Sequence, residues 1–258
     1  MMTTNAAWMA GLFGAVAMFG QTGAVESPVV GVGPFLHIIS DLDQSLAFYH
    51  DTLGLEVTGP AGGEHKFTDN PAVANLYGVP GKQFRAAVLK IPGSAMGIEL
   101  VQWGEVRKPG HKLVTRSGTA TLVLHRADAV EDRNSYVDPD GFPVASERSN
   151  SPGAGLSVIV SDARKTAALY ERVLGLKPER IQFTQATAHL GGGASFPEPG
   201  DGMLRLFVHD ITALTASLKS AGFSVITTGG EPVTLPQGPR VIILRDPNNF
   251  YIQLMEAK

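Results

Sequence analysis

The segment SDLDQSLAFYHDTLGL (Ser40–Leu55) returns as SDARKTAALYERVLGL (Ser161–Leu176), an offset of 121 residues. Both copies carry Ser-Asp, a Tyr eight residues beyond the Asp, and a closing Leu-Gly-Leu. A chain that uses one segment twice folds as a repeated unit, so every other element is placed relative to these copies. Each copy reads as a strand followed by a helix. The strands are Phe35–Ile39 and Leu156–Val160, apolar apart from His37 and Ser157. Asp41 and Asp162 stand where a carboxylate accepts the unpaired amide hydrogens of a helix start. Leu42, Leu46, Tyr49 and Leu53 follow at helical spacing, and Gly54 and Gly175 end the helices by accepting positive φ.

A second echo closes each half. VDPDGFPV (Val137–Val144) matches RDPNNFYI (Arg245–Ile252), turn chemistry between two strands. Thr121–Asp128 and Arg205–Asp210 precede them, each a strand running into an Asp. After Asp210, Ile211, Leu214, Leu218 and Ala221 make a helical stripe that Gly222 ends. The first half lacks this piece and has instead the longer segment Pro60–Gln83, followed by strands Phe84–Ile91 and Gly97–Trp103. The small-residue linker Ser149–Gly155 separates residues 27–150 from residues 151–258. Two related α+β domains result, the second module of the first one shortened. A hydrophobic content of 43% with 17% charged residues supplies a core. The net charge of −3 and pI near 6.2 argue against a nucleic-acid partner. The absence of Cys removes disulfides, thiolate metal sites and cysteine nucleophiles together.

Residues 1–26 stand apart. Ala6–Phe19 is fourteen residues without a polar side chain, shorter than the roughly 20 that a membrane span needs. It suits the apolar region of a secretory signal, with Thr22-Gly23-Ala24 as the cleavage site. The basic start of such a signal is missing, since the first Lys or Arg is Lys66. Export to the periplasm or beyond is the expectation, with a cytoplasmic location as the alternative. No stable membrane span is expected. The mature chain should begin near Val25; N-terminal sequencing of native protein that still finds Met1 or Met2 would count against export.

DLDQSLAFYHDTLGL, IELVQWG (Ile98–Gly104) and RDPNNFYIQL, in this order and duplicated, resemble the vicinal-oxygen-chelate superfamily. That superfamily includes glyoxalase I, fosfomycin- and bleomycin-resistance proteins and extradiol dioxygenases. The resemblance covers residues 30–257. It implies tandem glyoxalase-like domains built from paired βαβββ modules whose sheets curl around a ligand cup. Four modules in one chain look like the extradiol dioxygenase layout, in which two domains pair internally; the expectation is a monomer with such internal pairing or a homodimer. It also implies a divalent metal held by His and carboxylate side chains on particular strands. The matching slots here hold Pro34, Glu99, Thr121 and Ala145 in the first half, and Gly155, Met203 and Gln253 in the second. Of these, Glu99 alone is a proper metal ligand.

His37 lies three residues beyond the empty first slot, about 10 Å along the strand and on its opposite face, unless a β-bulge turns it. It reads as a buried His packed under the helix after Asp41. His125 shares a face with Thr121 and reads as a strand-end His at the pocket rim. His189 and His209 read as strand or loop residues, and Leu190–Ala194 (LGGGA) as a loop rather than a phosphate cradle. Glu99 shares a face with Val101 and Trp103, where it could ligate metal, pair with an Arg or accept a ligand's hydrogen bond. Gln253 shares a face with Tyr251 and Met255.

The leading expectation is therefore a binding protein for a small organic ligand. It uses Glu99, Thr121, His125, Tyr251 and Gln253, has no preferred cofactor, and is similar in principle to bleomycin-resistance proteins. The alternative is a metal-dependent lyase, isomerase or dioxygenase with a displaced site made of Glu99 and His37. A third possibility is a metal-free enzyme using Glu99 or His125 as base.

Overall fold

The computed structural model describes residues 27–58, 65–105, 117–129, 131–176, 181–186, 196–236 and 238–257. The signal-like stretch 1–26, His189 and the Leu190–Ala194 loop lie outside the described residues. In chain order the elements begin with β1 (Val29–Ile39), α1 (Leu42–Leu46, continuing as a π turn through Ala47–Thr52), β2 (Glu56–Thr58), α2 (Pro71–Leu76), β3 (Phe84–Lys90) and β4 (Gly97–Trp103). The middle of the chain forms β5 (Ala120–Arg126), β6 (Arg133–Val137), β7 (Pro143–Arg148), β8 (Gly153–Val160), α3 (Ala163–Leu174) and β9 (Ile181–Gln185). The last part forms β10 (Gly202–Val208), α4 (Ile211–Ser220), β11 (Ser224–Val225), β12 (Val233–Thr234), β13 (Arg240–Arg245) and β14 (Tyr251–Glu256).

The helix starts follow their caps. Asp41 accepts from the amides of Asp43 and Gln44, Asp162 from that of Lys165, and Asp210 from those of Thr212 and Ala213. Gly54 and Gly175 take φ of 70° and 65°, the left-handed values that end both copies. The one helix the sequence reading passes over is α2, inside Pro60–Gln83. Its local signal is Asn70-Pro71: the Asn70 side chain caps the amides of Ala72 and Val73, and Pro71 fills the first helical turn.

The strands form two sheets that do not follow the linear halves. The larger runs β11-β13-β14-β10-β1-β4-β3-β2, with β12 on β13; the smaller runs β6-β7-β5-β8-β9. Its central ladder is β1 against β10, antiparallel, with Leu36 opposite Met203, while β5 pairs antiparallel with β8 in the smaller sheet. The first module of the chain thus pairs with the fourth, and the second with the third. This departs from the dioxygenase-like layout of internally paired domains. Strand pairing is chosen by edge geometry and shared core rather than by proximity in sequence.

One continuous core fills the space between the sheets. Leu89, Ile98, Leu100, Leu204, Leu206, Ile252 and Leu254 of the larger sheet meet Leu122, Leu124, Leu156 and Val158 of the smaller, with Leu42, Tyr49, Tyr170, Leu174 and Leu218 from the helices. A second cluster covers the opposite face of the larger sheet: Leu36, Ile38, Val101, Trp103, Ile243 and Tyr251 pack beneath Val73, Leu76 and Tyr77. Among the described residues no helix is long and apolar enough to cross a membrane.

Two matching locks tie each sequence half together. Tyr49 Oη donates to Asp138 Oδ2 at 3.1 Å, and Tyr170 Oη to Asp246 Oδ2 at 3.0 Å. Each Asp also accepts two amides of its own turn, those of Asp140 and Phe142 in one and Asn248 and Phe250 in the other. The first lock has one more member. His37 is fully buried, with Nε2 2.6 Å from Asp138 Oδ2 and Nδ1 3.0 Å from the Asp201 carbonyl oxygen. A carbonyl and a carboxylate only accept, so both ring nitrogens donate and the ring is an imidazolium. Burial opposes that charge, but Asp138 and the Asp201 carbonyl hold the His37 pKa above its ordinary 6.5. Burial likewise opposes the Asp138 carboxylate, yet His37 and the turn amides keep its pKa below 3.8. Asp246 has no such cation, and there burial wins and raises its pKa.

The signs set a pH window. The Asp138 contribution is present above pH 3.8 and fades as pH falls through its depressed value, whereas the His37 contribution is present below pH 6.5 and fades as pH rises through its raised value. His37→Val, which copies Val158 of the second repeat, should cost about 3–5 kcal/mol in chemical denaturation near pH 6. It should also remove the alkaline decline of the stability profile; an unchanged profile would refute the charged lock.

Candidate functional site

Glu99 projects from β4 onto the α2-covered face of the larger sheet, in line with Val101 and Trp103. Its partner there is Arg205 of β10, whose Nη2 lies 2.9 Å from Glu99 Oε2. Arg205 Nε donates to Gln253 Oε1 of β14 at 2.5 Å, and the two residues are direct neighbours in the β10·β14 register. Arg205 is 6% exposed and Gln253 1%. The guanidinium crosses β1 to reach Glu99, and the backbone it passes is Gly33. A Cβ on Gly33 would stand 2.9 Å from Arg205 Cδ, so no side chain fits there while Arg205 keeps this path.

Tyr77, just past α2, roofs this polar row. Burial first, then the Glu99 carboxylate, push its pKa far above the ordinary 10, partly offset by Arg205 and a hydrogen bond with Gln253. Its hydroxyl stays protonated and acts as a hydrogen-bonding group, not a base. Tyr77 also packs on Trp103, ring centroids 5.1 Å apart. Trp103 and Gln253 lie on strands separated by β1 and β10, about 14 Å in a flat sheet. One tyrosine touches both, so the sheet curls toward this face. Phe84 against Trp103 (5.3 Å), Phe196 against Tyr77 (5.9 Å) and Tyr251 against Phe196 (4.4 Å) complete an aromatic wall. Burial also raises the Tyr251 pKa, and Asp201 adds to the shift.

The candidates named from sequence divide between the sheets. Glu99, Gln253 and Tyr251 meet on the curled face of the larger one. Thr121 and His125 lie in the smaller sheet, on β5, half-buried. There His125 Nδ1 is 3.9 Å from Glu147 Oε2, and the other oxygen of that carboxylate, Oε1, pairs with Arg133 at 3.0 Å. These residues do not join the Glu99 site. His209 is exposed beside the α4 cap.

His37 and Glu99 do not meet either. A register irregularity does fall between Val32 and Phe35, but it leaves His37 on the inter-sheet face with Phe35 and Ile39, while Leu36 stands beside Glu99. The residue that sequence reasoning missed is Arg205. Slot counting selected Met203, one same-face step earlier; the usable signal was a lone cation in the apolar run of β10.

The superfamily's metal can be tested against these donors. Glu99 Oε2 and Gln253 Oε1 both face the guanidinium, and the adjoining β1 and β10 positions are Leu36 and Met203. A divalent ion about 4 Å from Arg205 would meet roughly 8 kcal/mol of repulsion at an effective dielectric near 20. The donor set does not fit a divalent metal. Among the described residues no group of three or more His, Cys, Asp or Glu side chains is arranged to hold one.

The buried pair should be strongly coupled. Glu99→Gln and Arg205→Met should each lower the unfolding free energy by about 3 kcal/mol, by stranding one charge. The double variant should cost little more than either single, and simple additivity in denaturation would refute the coupling.

No family model matches the sequence, and no curated protein matches it. Solved structures do. Glyoxalase I from Zea mays matches with a TM-score of 0.57 and 14% identity, over 86% of this chain and 90% of that one. A single-substitution variant of that protein matches at 0.59 and 15%, over 86% and 90%. The cppA protein of Streptococcus pneumoniae matches at 0.50 and 12%, over 89% and 99%. At these identities the likeness is one of fold: the chain has the vicinal-oxygen-chelate fold of tandem glyoxalase-like modules.

Proposed function

We propose that this protein binds a small organic ligand in the curled face of its larger sheet, in a cup whose polar side is an internal ion pair, Arg205 with Glu99, rather than a resident metal. The observation that carries this reading is Arg205, held between Glu99 and Gln253 on the strands where the fold's metal ligands are expected. Tyr251 and Tyr77 bound the same space. Binding is favoured over proton-transfer chemistry because the cup's carboxylate is engaged by Arg205 and its tyrosines stay protonated. Neither Glu99 nor Tyr77 is poised as a general base. The role is similar in principle to that of bleomycin-resistance proteins.

The chain has two tryptophans, Trp8 and Trp103, so a Trp8→Phe background reports on the cup through Trp103 fluorescence. Monocyclic aromatic compounds screened this way should bind equally well, within twofold, before and after EDTA treatment and dialysis. Arg205→Met should weaken the best of them at least tenfold. A near-stoichiometric divalent metal whose removal abolishes binding, and which is lost in Glu99→Ala and His37→Ala, would instead establish the metalloprotein.

A further inference from the structure

We infer that the ligand of this cup is planar and uncharged and presents a carbonyl-type oxygen to Trp103. The inference rests on the binding role proposed above and narrows it. Trp103 is 2% exposed, and its indole Nε1 is buried without a hydrogen-bond partner among the described residues. An indole nitrogen can only donate. Leaving such a donor unmet costs about 1–3 kcal/mol, which a ligand acceptor recovers. The unmet group belongs to the wall of the proposed site, between Tyr77 and Phe84.

Shape follows from the wall. Trp103, Tyr77, Phe84 and Phe196 pack ring against ring, and a flat guest entering among them would repeat those contacts. Tyr77 and Phe196 sit on connecting segments beside α2 and β10 rather than on strands, so these two rings can reseat around a guest while the strand-borne Trp103 stays fixed.

Charge follows from the polar row. Glu99 already compensates Arg205 at 2.9 Å, so among the described residues the polar row carries one negative and one positive group and no surplus. Trp103 is four residues along β4 from Glu99, about 13 Å. Among the described residues, an anion beside Trp103 would lose its hydration and find no uncommitted cation. A neutral acceptor keeps the hydrogen bond and avoids that cost. Aromatic ketones, amides, lactones and quinones share this chemistry.

Three isosteric flat probes test the inference on the full chain: acetophenone, benzoate and α-methylstyrene. Binding is read from the Trp103 indole ¹H–¹⁵N resonance, assigned with Trp8→Phe, and from the shift in Tm. Acetophenone should bind about five- to tenfold more tightly than α-methylstyrene and should move the indole proton downfield. Benzoate should bind at least tenfold more weakly than acetophenone. In Trp103→Phe the advantage of the ketone over the alkene should vanish. In Glu99→Gln, which leaves Arg205 uncompensated, benzoate should gain about tenfold. Equal binding of ketone and alkene in the parent, or benzoate binding best, overturns the ligand class while leaving the binding role standing. Binding of none of the three up to their solubility overturns both. The parent comparison decides the matter even where a variant folds poorly.

Discussion

The antiparallel ladder between β1 and β10 is the contact on which the other arrangements rest. It joins the first and last modules into one sheet and brings β4 and β14 to either side of a common centre. Without it, Glu99 and Gln253 would sit on separate sheets with no reason to share a cation. Arg205 is the side chain that uses the ladder, reaching across β1 over Gly33 to Glu99 while its Nε holds Gln253. Where related folds are expected to place a metal, this chain has assembled a charge pair from its own strands. The electrostatics of this face are permanent, because a covalently tethered guanidinium cannot dissociate.

The repeat was legible because its signals are local. Asp41, Asp162, Gly54 and Gly175 each fix a helix end through backbone chemistry that needs no tertiary context, and the Asp138 and Asp246 turns are equally self-contained. His37 was legible through alternation alone, since Phe35 and Ile39 flank it on the core side. The module pairing was not: β1, β5, β8 and β10 are all apolar strands, and nothing within any of them names the edge it joins. Arg205 escaped for a related reason. Its role depends on Gln253 and Glu99, 48 and 106 residues away, and counting from Asp210 landed on Met203. The helix α2 carried a readable start in Asn70-Pro71, masked by a polar, glycine-bearing approach.

Duplication also shows how a buried carboxylate is made comfortable in two ways. Asp246 relies on Tyr170 and two amides and remains harder to ionise than a solvated Asp. Asp138 has the same donors plus His37, and ionises more readily. The added member is His37, where the second copy has Val158, and it links β1 to the β6–β7 turn and to the Asp201 segment at once. The first copy therefore has a polar bolt where the second has a methyl-bearing filler.

A sheet assembled from the two ends of a chain imposes an order on synthesis. Val29 pairs with Val208, so β1 leaves the ribosome long before its partner exists. At roughly 5–20 residues per second, the interval is about 10–35 s. Through that time β4 can pair with one edge of β1 while the other has only solvent to satisfy it, an opening for other extended segments to add on. Gly31 and Gly33 sit in that waiting strand, where low β-propensity weakens any mistaken ladder until β10 arrives with the side chain for which Gly33 leaves room.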